Sequence, residues 1–234
     1  MRNYDVLLFD LDGTLTASGE GITKSVQYAL QKMGKGELGQ DLEALKVFIG
    51  PPLLKQFMAF AGWSEEKAEQ AVKYYRERYT VTGIFENHPY EGIEKLLQNL
   101  KEKGYTLCVA SSKPDSMVHI VLEHFHLDSY FDVILGSDIN QPKMTKAEVI
   151  EQVLREVGYE EKKEKVVMIG DRSHDAEGAK QAGIVCLGVT YGYGTKEELR
   201  QEPEKLRKQW RGLRRFWNKC KDVLSIIKVM RVFL

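Results

Sequence analysis

Two pairs of carboxylates stand where apolar runs end. Asp10 and Asp12 close the run Val6-Leu7-Leu8-Phe9 in the phrase Asp10-Leu11-Asp12-Gly13-Thr14. Asp171 and Asp175 follow Val166–Ile169 in Gly170-Asp171-Arg172-Ser173-His174-Asp175. A spacing of two in an extended segment puts Asp10 and Asp12 on the same side. Like charges so close repel unless something positive lies beside them. A hard divalent cation with oxygen ligands does this, and magnesium keeps waters and a substrate phosphate as well. An ordinary Asp-Gly turn would explain the first pair taken alone; the recurrence at a second strand end favours a site. Ser111-Ser112-Lys113 follows another apolar run, Thr106–Ala110. A hydroxyl and backbone N–H groups at a strand-to-helix junction suit phosphate oxygens. Lys146 begins a helical pattern, where acids are ordinarily favoured. A single lysine is by default a solvated surface group, but at a helix start it asks for an anionic partner.

These residues need a scaffold that brings several strand ends together. Strands are expected at Asp5–Leu11, Thr106–Ala110, Asp132–Gly136, Lys165–Ile169 and Ile184–Val189, each a short apolar run bounded by turn residues. Helices are expected at Gly92–Lys103, Asp115–His124, Lys146–Val157 and Asp175–Ala182, three of them ending at Gly104, Gly158 and Gly183. Alternation of this kind predicts an α/β fold, a Rossmann-like three-layer parallel sheet with helices on both faces. Ligands then bind at the carboxyl ends of the strands, where all the residues above emerge. Between the first two strands the apolar spacing is helical, with helices expected at Ile22–Met33, Leu42–Phe48, Leu53–Ala61 and Ser64–Tyr79. Pro51-Pro52 separates the second from the third, and Ser64 is placed to cap the fourth. This insert reads as a helical cap, residues 16–85, hinged near 15–19 and 82–87. Residues 1–15 and 86–200 make the core.

The 234 residues, 43% hydrophobic and 29% charged, describe a globular chain with little room for wholesale disorder. Its apolar runs are strand-length, too short to span a bilayer, and the N-terminus lacks a leader pattern. Cys108, Cys186 and Cys220 form no spaced pair, so reduced core thiols are expected rather than a metal site. Together these point to the cytoplasm. No histidine shows metal spacing with acids; His174 sits inside the Asp171–Asp175 phrase as a filler.

The four elements, in this order, resemble the haloacid dehalogenase-like (HAD) superfamily, and within it the phosphoglycolate phosphatase and 5'-nucleotidase-like group with a helical cap. DxDGT is Asp10 to Thr14, the Ser/Thr motif is Ser111, the lysine is Lys146, and GDxxxD supplies Asp171 and Asp175. The similarity runs from Asp5 to about Leu199. It implies a magnesium-dependent phosphatase acting on a small phosphate monoester, such as phosphoglycolate, a nucleotide or a sugar phosphate. Asp10 is then the nucleophile, forming an aspartyl-phosphate, and Asp12 the general acid and then base. The resemblance further implies Mg2+ ligands from Asp10, Asp12 (through its carbonyl), Asp171 and Asp175. Ser111 and Lys146 would hold the transferring oxygens. Thr14, Ser112, Lys113, Lys24 and Lys143 are candidate substrate-binding residues. Lys143 stands where relatives often carry arginine, and a lysine there lacks the bidentate fork. Asp12 favours hydrolysis or mutase chemistry over dehalogenation, so a phosphosugar mutase on the same scaffold is the alternative within the enzyme class. A monomer or homodimer is expected, with neither nucleic acid nor membrane as partner.

The end of the chain departs from this pattern. From Lys205 onward there are ten Lys/Arg and one acid, Asp222, although the whole chain is formally neutral. Leu206, Trp210, Leu213, Trp217, Cys220, Leu224 and Ile227 make a heptad stripe. Taken literally, 201–234 is a basic amphipathic segment able to bind an acidic membrane, a partner helix or nucleic acid. The resemblance instead implies a short strand and an acidic last helix here. Codons for Gln201–Leu234 exist that, read two nucleotides out of frame, specify a stop-free acidic segment of that kind. A displaced reading frame near Gln201 is therefore the favoured reading, and the gene's nucleotide sequence tests it.

Overall fold

The computed structural model describes residues 4–138 and 144–195. Lys143 and the basic segment 201–234 lie outside the described residues. The chain divides into two compact units: Met1–Leu15 with Pro89–Leu234, and Thr16–His88.

Among the described residues the first unit is built on five strands: β1 (Val6–Phe9), β2 (Thr106–Pro114), β3 (Val133–Ser137), β4 (Val166–Gly170) and β5 (Val185–Gly188). All pair in parallel, in the order β3-β2-β1-β4-β5. All four residues of β1 and all five of β4 are buried, as expected of strands covered on both faces. Of the helices α4 (Ile93–Glu102), α5 (Asp115–His124), α6 (Lys146–Val157) and α7 (Ser173–Ala182), the last two pack on one face against Val6, Leu8, Cys108, Ala110, Val166 and Met168. Alternate residues Leu7, Phe9, Leu107, Val109, Val167 and Ile169 point to the other face and are equally buried, and Phe9 meets Phe131 edge-on at 6.2 Å. The predicted α/β architecture is the one observed.

Local chemistry sets the element ends. Helix α6 opens on a capping box: Thr145 N–H donates to Glu148 Oε2 at 2.6 Å and Glu148 N–H donates to Thr145 Oγ1 at 3.3 Å. It closes at Gly158, whose φ of 67° suits the left-handed cap. Strand β2 runs to Pro114, four residues beyond the expected end at Ala110, with a register shift against β3 between Ala110 and Pro114. Two side chains fasten this extension. Ser137 Oγ donates to Ser112 O at 2.9 Å, and Asp115 Oδ1 accepts from Gly136 N–H at 2.8 Å.

The second unit contains α1 (Gly19–Lys32), α2 (Leu53–Ala61) and α3 (Glu65–Tyr79). The expected helix Leu42–Phe48 is instead a 3₁₀ stretch, Ala44–Phe48, preceded by another at Gly36–Gly39. Asp41 Oδ1 takes the Glu43 N–H at 2.9 Å, and Ile49 is already extended before Gly50 and Pro51. Five residues between these two constraints are too few for an α-helix and close as i→i+3 turns. Ser64 holds the N-cap position of α3, but its hydroxyl makes no capping hydrogen bond. The unit extends to His88 rather than Phe85. Ala17 N–H donates to His88 O at 2.7 Å, and Asn87 Nδ2 donates to Thr16 Oγ1 at 3.3 Å. Phe48 anchors its core against Phe57 at 4.8 Å and Phe60 at 5.2 Å.

Candidate active site

The sheet register alone gathers most of the candidates. Phe9 pairs with Val109 on one side and Ile169 on the other. The next step up therefore sets Asp10 level with Ala110 and Gly170, and Ser111 and Asp171 each follow one residue beyond these. The chain leaves β1 toward β2 and β3, then resumes on the opposite side with β4. Asp10 and Asp171 flank this reversal point, where open parallel sheets bind ligands.

Lys146 Nζ lies 2.6 Å from Asp10 Oδ1 and 2.8 Å from Asp175 Oδ1, all three groups nearly or fully buried. The unusual lysine at the start of α6 thus finds two anions from the strand ends. Asp175 is oriented by the first turn of α7, its Oδ2 accepting the Arg172 N–H at 3.1 Å. Oxygen atoms of Asp10, Asp171 and Asp175 lie within 4.8 Å of one another. Burial and the neighbouring Asp175 push the Asp10 carboxyl up, against the pull of Lys146. Burial raises Asp171 well above the usual carboxylate range, helped by Asp175 and Asp10. Burial acts on Asp175 in the same sense, but Lys146, His174 and the Arg172 N–H together hold this carboxyl below its ordinary value. Burial opposes the Lys146 charge, yet Asp10 and Asp175 keep its ammonium above the usual lysine range.

Asp12 does not join this cluster. Both of its oxygens face Lys113 Nζ, at 3.0 and 2.8 Å, in a pair almost wholly buried. The chain bends after Asp10, so the two carboxylates expected side by side take separate lysines. Three carboxylates converge, and the fourth is held by the lysine expected to bind substrate. Ser111 is buried and its Oγ accepts the Lys113 N–H at 3.3 Å. Ser112 is half-buried and offers its carbonyl to Ser137. Thr14 is fully buried, its hydroxyl without a hydrogen-bond partner among the described residues. Lys24 belongs to the helical unit, where its ammonium contacts Glu20 at 2.5 Å and Glu86 at 3.2 Å.

Sequence reasoning missed the segment Tyr191-Gly192-Tyr193-Gly194. Tyr193 N–H donates to Asp171 Oδ2 at 2.6 Å, and Tyr191 OH donates to Thr14 O at 2.8 Å. An added Cβ at Gly192, or at Gly13 with its φ of +90°, would collide with the Asp171 carboxylate. The repeated Tyr-Gly was the available signal, since glycine marks close backbone approach. His174 was also passed over; its Nε2 stands 3.8 Å from Asp175 Oδ1.

The cluster suits a hard cation. Asp171 Oδ1 is buried with no hydrogen-bond partner among the described residues, and such orphans are costly unless something else satisfies them. Lys146 contacts two of the three carboxylates, Asp10 and Asp175, and all the donors are oxygens, the set magnesium takes.

A family model described as haloacid dehalogenase-like hydrolase matches residues 7–189. A 5'-nucleotidase of Pseudomonas aeruginosa is 47% identical over 197 residues, covering 84% of this chain and 87% of that protein. Tyrosine-protein kinase PtkA of Mycobacterium tuberculosis is 35% identical over 193 residues, covering 81% of this chain and 63% of that protein. A solved structure described as a predicted phosphatase from Clostridium acetobutylicum superposes with a TM-score of 0.80 at 46% identity, covering 84% and 89% of the two chains.

Proposed function

The chain belongs to the haloacid dehalogenase-like hydrolase family, and from that premise we propose that it is a magnesium-dependent phosphatase. Its substrate is a small phosphate monoester, hydrolysed through an aspartyl-phosphate on Asp10. The observation that carries this reading is Lys146 on one oxygen of a buried Asp10, inside a cluster with Asp171 and Asp175. Names of relatives support the reaction class: besides the 5'-nucleotidase, a Colwellia psychrerythraea phosphoglycolate phosphatase is 27% identical over 207 residues.

Lys146 fixes Asp10 through Oδ1, which leaves Oδ2 as the atom assigned to attack phosphorus. The new bond is Asp10 O–P, and the P–O bond to the leaving alcohol breaks. Asp12 supplies the proton that the departing oxygen needs. Asp12 then takes a proton from water as that water attacks the phosphorus, so inorganic phosphate leaves and Asp10 is restored. Ser111 and Lys146 neutralise and orient the transferring oxygens, where most of the rate gain in phosphoryl transfer arises. Asp10, Asp171 and Asp175 would hold Mg2+ with the Asp12 carbonyl, and the ion would offset phosphate charge. Tyr193 N–H and the flanking glycines keep Asp171 in place for it.

A panel of phosphoglycolate, nucleoside monophosphates and sugar phosphates, assayed for released phosphate, tests the reading. Turnover of at least one ester with Mg2+, lost in excess chelator and suppressed by Ca2+, is expected, because Ca2+ takes more ligands in looser geometry. Full activity in chelator contradicts it, and conversion to an isomer without phosphate release would make the enzyme a mutase.

A further inference from the structure

The lysine after the serine motif is spent on Asp12 rather than left open for substrate. Lys113 Nζ sits between both oxygens of Asp12, at 3.0 and 2.8 Å. The side chains in this pair are 6% and 9% exposed. The residue next to Asp12 is Gly13, and even a Cβ there would collide with the carboxylate of Asp171. The backbone at Asp12 is thus within one side chain's reach of the three-carboxylate cluster, yet the Asp12 carboxylate stays outside it. Lys113 comes to it on a firm support. It lies on the part of β2 beyond Ala110, with its own N–H on Ser111 Oγ at 3.3 Å and the preceding carbonyl held by Ser137.

We propose that Lys113 is a positioning residue that keeps the Asp12 carboxylate out of the cation site. Without the ammonium, a buried carboxylate beside a divalent cation turns to the strongest positive charge in reach, which is the cation. A carboxylate captured as a ligand is turned away from the position it holds against Lys113, and so from the leaving oxygen it serves in the proposed reaction. The Asp12 half of this inference rests on the phosphatase reading; the capture half does not, since it concerns cation binding alone.

Isothermal titration of the full chain with MgCl2 separates the two. Lys113→Met should bind Mg2+ on the order of tenfold tighter than wild type, because affinity at hard-cation sites follows ligand charge. The double variant Asp12→Asn/Lys113→Met should return to the wild-type value. In parallel, kcat of Lys113→Met for an accepted ester should fall roughly 10²-fold or more, the scale of a lost acid–base contribution, with KM nearly unchanged. Lys113→Gln, which keeps a hydrogen-bond donor without the charge, serves if the methionine variant does not fold, and should tighten Mg2+ binding in the same direction. Equal affinity in wild type and the neutral variants overturns the proposal. So does tighter binding that persists in the double variant, or a wild type that binds no Mg2+. A raised KM with unchanged kcat would return Lys113 to substrate binding. If wild type binds Mg2+ but hydrolyses no ester, the phosphatase reading falls while the calorimetric comparison still decides the role of Lys113.

Discussion

The two units bury polar side chains of different kinds. Among the described residues, the α/β unit buries, besides the hydroxyls of Thr14 and Ser111, the chargeable groups of Asp10, Asp12, Lys113, Lys146, Asp171 and Asp175. The helical unit buries the hydroxyls Thr16, Ser18, Thr23 and Ser25. Two of these are satisfied within their own helix, Thr23 Oγ1 donating to Gly19 O at 2.8 Å and Ser25 Oγ to Gly21 O at 2.7 Å. The helical unit's ion pairs stay nearer water: Arg78 and Glu86, 2.8 Å apart, have side chains 21% and 22% exposed. Burying a charge is costly and is retained where it is paired or where a ligand needs it. The contrast gathers the buried charges in one unit and leaves the other with the electrostatics of an ordinary helical fold.

The severest test of that contrast is Asp10→Asn, which removes the charge of the proposed nucleophile while keeping its shape. Phosphate release should fall roughly 10⁴-fold or more, with the circular dichroism spectrum preserved. Retention of more than about a hundredth of wild-type turnover, far above that expectation, would break the assignment. Next in size is Lys146→Met, which strips two buried carboxylates of their shared counter-charge. Urea unfolding should show a loss of about 3–5 kcal/mol, and a loss under about 1 kcal/mol, the scale of an exposed pair, would contradict the cluster as described. The smallest effect belongs to the other unit. Glu86→Gln should cost about 1 kcal/mol after allowance for solvent screening and leave kcat within about threefold, since no transition-state contact is removed.

The Glu86 variant also has a pH signature. Hydrogen bonds from Arg78, with further help from Lys24, hold the Glu86 carboxyl below the usual range against the opposing effect of burial. Its contribution is therefore present above the unfolded glutamate value of about 4.3. It is lost as pH falls through the lower folded value. Melting curves of wild type and Glu86→Gln should converge below that window; a gap that stays constant down to strong acid would show that the charge is not what stabilises the unit.

What could be read in advance follows from how local each feature is. The strand ends carrying Asp10 and Asp171 were legible because continuous apolar runs stop at an acid, and a parallel sheet puts such ends on one edge. Lys146 at the head of α6 was legible as an anomaly against helix-start preferences, and its two anionic partners resolve it. The capping box of Thr145 and Glu148 that starts the helix was there to be read and was not. The Asp12–Lys113 pair was illegible. It depends on β2 continuing to Pro114, and that depends on Ser137 and Gly136 of β3 reaching across to Ser112 and Asp115. The tyrosine segment is likewise non-local: Tyr193 N–H reaches Asp171 across 22 residues of sequence, and Tyr191 OH reaches Thr14 across 177. Leu42–Phe48 misled because its apolar spacing suits a helix, whereas the Asp41 side chain and Pro51 leave too little length for one.

The central claim is that the phosphoryl group passes through Asp10. Rapid acid quench during turnover of a phosphate-labelled ester, followed by peptide mapping, reads this directly. The label should appear on the peptide containing Asp10, discharge with hydroxylamine as an acyl phosphate does, and be absent from Asp10→Asn. Label on another residue, or steady phosphate release from a protein that never carries label at any quench time, would contradict the account.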